Sequence, residues 1–470
     1  MALLVCTEKP GIALEGWRRS SPFRRLECDW FSCAQRLFFF DFRNADDRKQ
    51  SNQKIGLYAV LLNYVLIMGQ TSHFYRFQDY GGYEKAAIGM AQGKALYGDT
   101  YHLNLPLVGE LIAGAYQTLH AIFSEIQPII PDLVFACGVF YLFQCLQLAL
   151  TGWGYWLSTN WLTTLGIGRE RSILICALLW ILSWPVYLTL QKGQINILLV
   201  DLTLLALIWL NSNPIRAGMA LAVGFFLKVY PVGLVAAAVI TKRWKLVGAF
   251  AAGIVLLIIL QTIGGGITIW SQLFNALQQK HLNDPFYDIE AQIEASPMSA
   301  AFIICRAFAP ACVTRDNPTV PIVSYVITAV IVAWFAWRIW VRERAYRQQL
   351  PGTPDAGKND LELSRFYGHM ADILSGGMIA SPHVWQNHYV MALPAILWAI
   401  ACRGGVTPLL LAAIAFMQVS NHFDRGTAAY MVLAFLRPLG LILLTISQNP
   451  KSLLNPSQKL SGQADDDKIE

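Results

Sequence analysis

Charge is scarce in this chain. Asp, Glu, Lys and Arg make up 14% of its 470 residues, against about a quarter in soluble domains. That deficit argues against an ordinary water-soluble fold. The nine cysteines are scattered singly, with no CxxC pair and no Cys/His metal spacing. Neither a zinc site nor a disulfide framework follows from them. Cys137, Cys145, Cys176 and Cys402 fall in apolar runs, where Cys acts as a small hydrophobe. Cys305 and Cys312 would pair only if they face an oxidising space. The first residues lack the charged, apolar and cleavage regions of a secretory leader, so no cleaved signal is expected. No internal repeat and no low-complexity tract is present. The net charge of +6 does not imply a nucleic-acid partner, because the basic residues sit in short loops between apolar runs.

What the chain has is apolar length. It is 55% hydrophobic, with a mean hydropathy of +0.42, as in a polytopic, all-α membrane protein set in a lipid bilayer. Fifteen Trp, eighteen Tyr and twenty-four Phe suit aromatic belts at the two interfaces. Residues 1–53 carry seven Arg and two Lys and no long apolar run; a cytoplasmic extension on the bilayer surface is expected there. A single transmembrane domain is expected over 54–447 and a polar, disordered cytoplasmic tail over 448–470. The first span is expected at 55–72, followed by an external segment, 73–130. Apolar residues from Leu107 to Ile126 recur there at helix spacing on one face, which predicts a helix lying in the interface plane.

Later apolar runs are often shorter than the ~20 residues that cross a bilayer. Short runs broken by Gly, Pro or a charge mark discontinuous helices around a site. The positive-inside rule places Arg169, Arg171, Arg216, residues 241–245, Arg338 to Arg347 and Arg403 in the cytoplasm. Arg216 and Lys242 then share a side, so 217–240 must enter and return, turning at Lys228–Pro231. The threading gives about twelve crossings with both termini inside, 264–320 outside and 342–368 as a polar cytoplasmic loop.

Four polar clusters interrupt this pattern. Asp79 stands just past the first span, where a carboxylate would reach both water and a lipid headgroup; it is equally suited to cap a helix over 82–93. Lys192, Gln194 and Asn196 stand between two apolar runs. They form either an ordinary turn or a lined cavity, since polar groups entering an apolar run are costly when unpaired. Lys228 has apolar residues on both sides and is either a snorkelling lysine or a phosphate ligand between two short helices. His383 and His388 bracket Trp385 at the start of a span, as structural or ligand residues. Arg306 and Asp372 have no clear partner in sequence.

These clusters carry a resemblance. The chain resembles glycosyltransferase family 87, polyprenol-phosphate-sugar-dependent mannosyltransferases of the multi-spanning GT-C architecture. The family's early Asp-containing segment reads QDYGGYEKAAIGMAQGKALY here. Its G-Q-x-N element is Gly193, Gln194 and Asn196. Its K-x-x-P element is Lys228, Tyr230 and Pro231. Its S-P-x-x-W-x-H-H element is SPHVWQNH, with Asn387 in place of the first His. The family's region rich in Asn, Ser and Arg is matched only in part by ASPMSAAFIICR, and its twin proline is reduced to Asn104-Leu105-Pro106.

The resemblance implies a membrane hexosyltransferase, with mannose as the family default. It would move the sugar from a polyprenyl-phosphate donor to a glycolipid or glycan acceptor, with inversion and without a cofactor. The setting implied is the bacterial plasma membrane and cell envelope. Asp79 would be the base. Lys228, His388, Gln194, Asn196, Tyr83, His383 and Trp385 would bind donor phosphate or substrate. No DxD motif accompanies the apolar runs, so no catalytic metal is expected. Two other readings stay open: a transporter or flippase of lipid-linked sugars, which also uses broken helices and buried polar residues, and a non-catalytic scaffold, given Asn387.

Overall fold

A computed structural model describes residues 55–62, 132–281, 296–313, 317–381, 384, 386–419 and 428–450, with single positions between 89 and 122. Among these residues every regular element is helical. A helical stretch covers 55–62. The numbered helices begin with α1 (Asp132–Thr164), α2 (Arg169–Ile181), α3 (Trp184–Gln191), α4 (Asn196–Trp209), α5 (Pro214–Leu227), α6 (Val232–Ile240) and α7 (Trp244–Gly265). They continue with α8 (Thr268–His281), α9 (Pro297–Phe308), α10 (Thr319–Gln349), α11 (Asp355–Ala380), α12 (Leu393–Arg403), α13 (Pro408–Met417) and α14 (Ala428–Ser447). A 3₁₀ stretch, Gln386–Ala392, leads into α12.

Local chemistry sets the breaks. Ser183 caps α3, its hydroxyl accepting from the Val186 amide, and Pro185 sits in the first turn. Helices α2 and α3 therefore meet at a bend of 51° rather than running on as one rod. Gly193 turns the chain from α3 into α4 at φ +62°, a left-handed backbone that glycine takes at no steric penalty. Asn213 caps α5 through the Arg216 amide, with Pro214 at its start. At Lys228 the backbone becomes extended, and Pro231 opens α6. Residues 217–240 are thus a helix, a turn and a helix, as the charge placement requires.

Among the described residues, two helices, Trp244–Gly264 and the α10 region Thr319–Gly352, are long and apolar enough to cross a membrane, and the bent α2–α3 pair is a third candidate. Only 17% of each long window is buried, so both lie at the rim of the bundle. Val255, Ile259 and Ile263 on α7 and Val326, Val330, Trp334 and Trp337 on α10 face outward. An apolar exterior of this kind is made for lipid. The bundle interior holds Trp161, Trp180, Leu199, Phe226 and Phe366, and α12 is buried along nearly its whole length. Of the interfacial helix expected near 107–126 only 114, 117, 118, 121 and 122 are described, all helical; the extension 1–53 lies outside the described residues.

Helices α4 and α5 have 14 residues each, α6 has nine and α12 has eleven. At 1.5 Å per residue these are about 21, 21, 14 and 17 Å long. None spans the ~30 Å of a hydrocarbon core.

Two expectations are corrected. Residues 342–368 are not a polar loop: α10 continues to Gln349 and α11 begins at Asp355. The charges that suggested a loop are paired between the two helices, as Glu343 is with Arg365 and His369. Asp372, which had no visible partner, bonds both Arg338 and Arg342. Cys305, one of the two cysteines considered for pairing, is a buried free thiol.

Candidate active site

The ends of α3, α4 and α5 and the 3₁₀ stretch before α12 converge on one hydrogen-bonded network. Lys228, at the α5–α6 turn, donates from Nζ to the Asn196 side-chain oxygen at 2.9 Å. The same nitrogen lies 2.9 Å from His388 Nε2. An ammonium can only donate, so Nε2 accepts and the ring proton is assigned to Nδ1. That proton then goes to the Tyr230 hydroxyl oxygen, 2.8 Å away. The Tyr230 and His388 rings also pack at 5.2 Å between centroids. His388 is in this way held as a neutral imidazole between a cation and a phenol.

A frame of amides fixes that pair. Asn196 Nδ2 donates to Gln194 Oε1 at 2.8 Å and to the Asn387 carbonyl at 3.3 Å. Asn387 Nδ2 also donates to Gln194 Oε1. Thr189 Oγ1 donates to the Asn387 carbonyl at 3.2 Å and to the Pro185 carbonyl at 2.8 Å. From α1, Gln147 Nε2 donates to the Gln194 carbonyl at 2.9 Å. Gln194, Asn196, Asn387, Thr189 and Gln147 are all buried. Buried amides are costly unless bonded, so a connected set of them specifies one arrangement.

Of the residues picked out in sequence, Gln194, Asn196, Lys228 and His388 meet here. Asp79, Tyr83, His383 and Trp385 lie outside the described residues. Sequence reasoning passed over Gln147 and Thr189, and it treated Asn387 only as a missing histidine. The signal for Gln147 was available: Gln144, Gln147 and Thr151 recur at helix spacing in an apolar run. Among the described residues, no three or more His, Cys, Asp or Glu side chains lie together as metal ligands would. One and a half turns along α4, Asp201 is fully buried, and neither carboxyl oxygen has a hydrogen-bond partner among the described residues. The amide frame does not reach it.

Glycosyltransferase family 87 matches residues 131–351, just under half of the chain. The match takes in Gln147, Thr189, Gln194, Asn196, Lys228 and Tyr230, six members of the network. Over that segment the chain is similar to family 87 glycosyltransferases. The match stops short of His388, which the fold itself brings to Lys228. No curated protein and no solved structure matches the chain significantly. The matched family is one of glycosyltransferases, enzymes that join a sugar donor to an acceptor. The outward-facing apolar helices of this chain agree with an integral membrane protein.

Proposed function

We propose that the enzyme moves a hexose, mannose by the family default, from a polyprenyl-phosphate donor to a glycolipid or glycan hydroxyl, with inversion and with Asp79 as base. The carrying observation is the convergence of Gln194, Asn196, Lys228 and His388, from three separate stretches of chain, on a single network. Lys228 supplies the point charge that suits a phosphate. Its amide and imidazole partners fix where the ammonium sits before any ligand arrives, which is the condition for electrostatic stabilisation of a developing anion. The site lies at the ends of helices too short to cross, so a donor anchored in lipid meets it within the membrane's thickness.

In the reaction the acceptor oxygen forms a bond to the anomeric carbon as the bond from that carbon to the phosphate oxygen breaks. The acceptor proton passes to the Asp79 carboxylate. The lipid phosphate leaves carrying the electron pair, and Lys228 with the His388–Tyr230 pair stabilises it. One base and no carboxylate nucleophile give a single displacement, hence inversion.

The test is sugar transfer by the purified protein from a synthetic polyprenyl-phosphate hexose in detergent. Wild type should transfer. Asp79→Asn should fall by about 10²–10⁴ in turnover while donor binding and melting temperature stay near wild type, because Asn preserves most of a capping role. More than half of wild-type turnover in Asp79→Asn would remove the base assignment. Intact donor crossing between leaflets of a vesicle, with no transfer, would support a flippase instead.

A further inference from the structure

A second buried polar cluster lies at the far end of the same short helices. Helix α6 leads from the Lys228 turn to Ile240, whose carbonyl accepts from Arg365 Nη2 at 3.0 Å. Helix α12 leads from His388 to Arg403, which donates from Nε to the Ser447 carbonyl at 2.5 Å. Between these points, Arg338 Nε and Arg342 Nη1 on α10 hold the two oxygens of Asp372 on α11 at 2.9 and 2.5 Å. Arg338 Nη2 also donates to the Gln448 carbonyl at 2.9 Å, just past the end of α14. Nearby, Arg365 bonds both oxygens of Glu343 at 2.6 Å, and His369 Nε2 lies 2.7 Å from one of them.

The charges do not balance. Among the described residues, Arg365 is matched by Glu343, whereas two guanidiniums, on Arg338 and Arg342, share the one carboxylate of Asp372. Beside the surplus, the Gln448 carboxamide is buried, and neither its nitrogen nor its oxygen has a hydrogen-bond partner among the described residues. His369 Nδ1 is likewise buried and unbonded. A desolvated excess of positive charge and an unused amide donor are each unfavourable alone. Both would be relieved by an oxyanion that accepted from them.

We propose that Arg338, Arg342 and the Gln448 amide bind a phosphate-type oxyanion, which completes the charge of this cluster and fastens the end of α14 to α10 and α11. Two sources share that chemistry, the headgroup phosphate of an anionic phospholipid and free inorganic phosphate. The site is separate from the donor site, since α6 and α12 stand between the two.

The experiment uses the full chain in detergent, in gluconate buffer without chloride, with inorganic phosphate titrated against the melting temperature. Wild type should gain stability with a saturable dependence. Gln448→Leu should keep its phosphate-free melting temperature and need about tenfold more phosphate, the loss of one hydrogen bond to a charged group. Asp372→Asn removes the competing carboxylate. It should melt lower without phosphate yet reach half-saturation at about tenfold less phosphate. A purely structural cluster would move the phosphate-free melting temperature in Asp372→Asn and leave half-saturation alone. Native mass spectrometry after exchange into phosphatidylglycerol or phosphatidylcholine distinguishes the sources. One phosphatidylglycerol retained by wild type and lost in Gln448→Leu identifies a headgroup; phosphate dependence without retained lipid identifies the free ion. A flat response to phosphate with no retained anionic lipid, or the same half-saturation in all three proteins, would overturn the proposal.

Discussion

The Lys228 network and the Arg338–Asp372 cluster are both buried and polar, yet they are built from different materials. Around Lys228 the bonds described come from amides, a hydroxyl and a neutral imidazole, carried on the ends of broken helices. Around Asp372 they are full charges facing each other, carried on the interiors of α10 and α11. A paired charge is strongly held, and breaking such a pair strands a charge in a dry interior. An ammonium framed by neutral dipoles is fixed in place without being neutralised by them, which suits binding a substrate anion. The comparison teaches that burial and hydrogen bonding alone do not mark a catalytic site. The kind of partner does.

That contrast can be broken by exchanging the consequences. Lys228→Met should lower kcat/KM for the lipid donor by about 10²–10³ with little change in melting temperature. If its main effect were on folding, the two networks would be of one kind. Asp372→Ala should do the reverse. Leaving two guanidiniums unpaired should destabilise by about 3–5 kcal/mol, read as a fall in denaturation midpoint, while the folded fraction keeps near wild-type turnover. A large loss of turnover per folded molecule would place Asp372 in the chemistry.

Gly368→Ala sharpens the structural side. A methyl there would collide with the Arg342 guanidinium. The variant should be destabilised by about 1–3 kcal/mol, and unchanged thermal unfolding would show that Arg342 moves aside freely. The smallest effect is expected from Thr189→Ala, which removes one side-chain donor to the Asn387 carbonyl. It should cost about 1 kcal/mol and raise KM for donor slightly more than it lowers kcat, in steady-state kinetics.

The sequence was more legible at one network than at the other, for a physical reason. Gln194, Asn196 and Lys228 stand out because polar groups in apolar runs are costly, so each announces a partner. The partner of Lys228 could be guessed at His388 only through the order of motifs, since 160 residues separate them. Asn387 looked like a loss because a histidine was expected there. In the fold its side chain and carbonyl are a joint of the frame. Asp372 was visible as a buried charge, but Arg338 and Arg342 sit among the Arg and Glu residues of 338–347 and read as loop charge. Composition cannot separate an arginine in solvent from one aimed inward along a helix. The turn at Lys228–Pro231 was legible because Arg216 and Lys242 fixed both ends. The bend at Ser183–Pro185 was not, since apolar residues continue through it.

The span of these contacts has a consequence for how the protein is made. Asn387 meets Gln194 across 193 residues. At a synthesis rate of about 5–20 residues per second, the ribosome needs roughly 10–40 s to deliver the second partner after the first. For much of that interval α3, α4, α5 and α6 are already synthesised, with Gln194, Asn196 and Lys228 able to bond one another but lacking the bonds to Asn387 and His388. The short helices must therefore be tolerated by the insertion machinery as polar, incomplete intermediates, and the site closes among the last events of assembly.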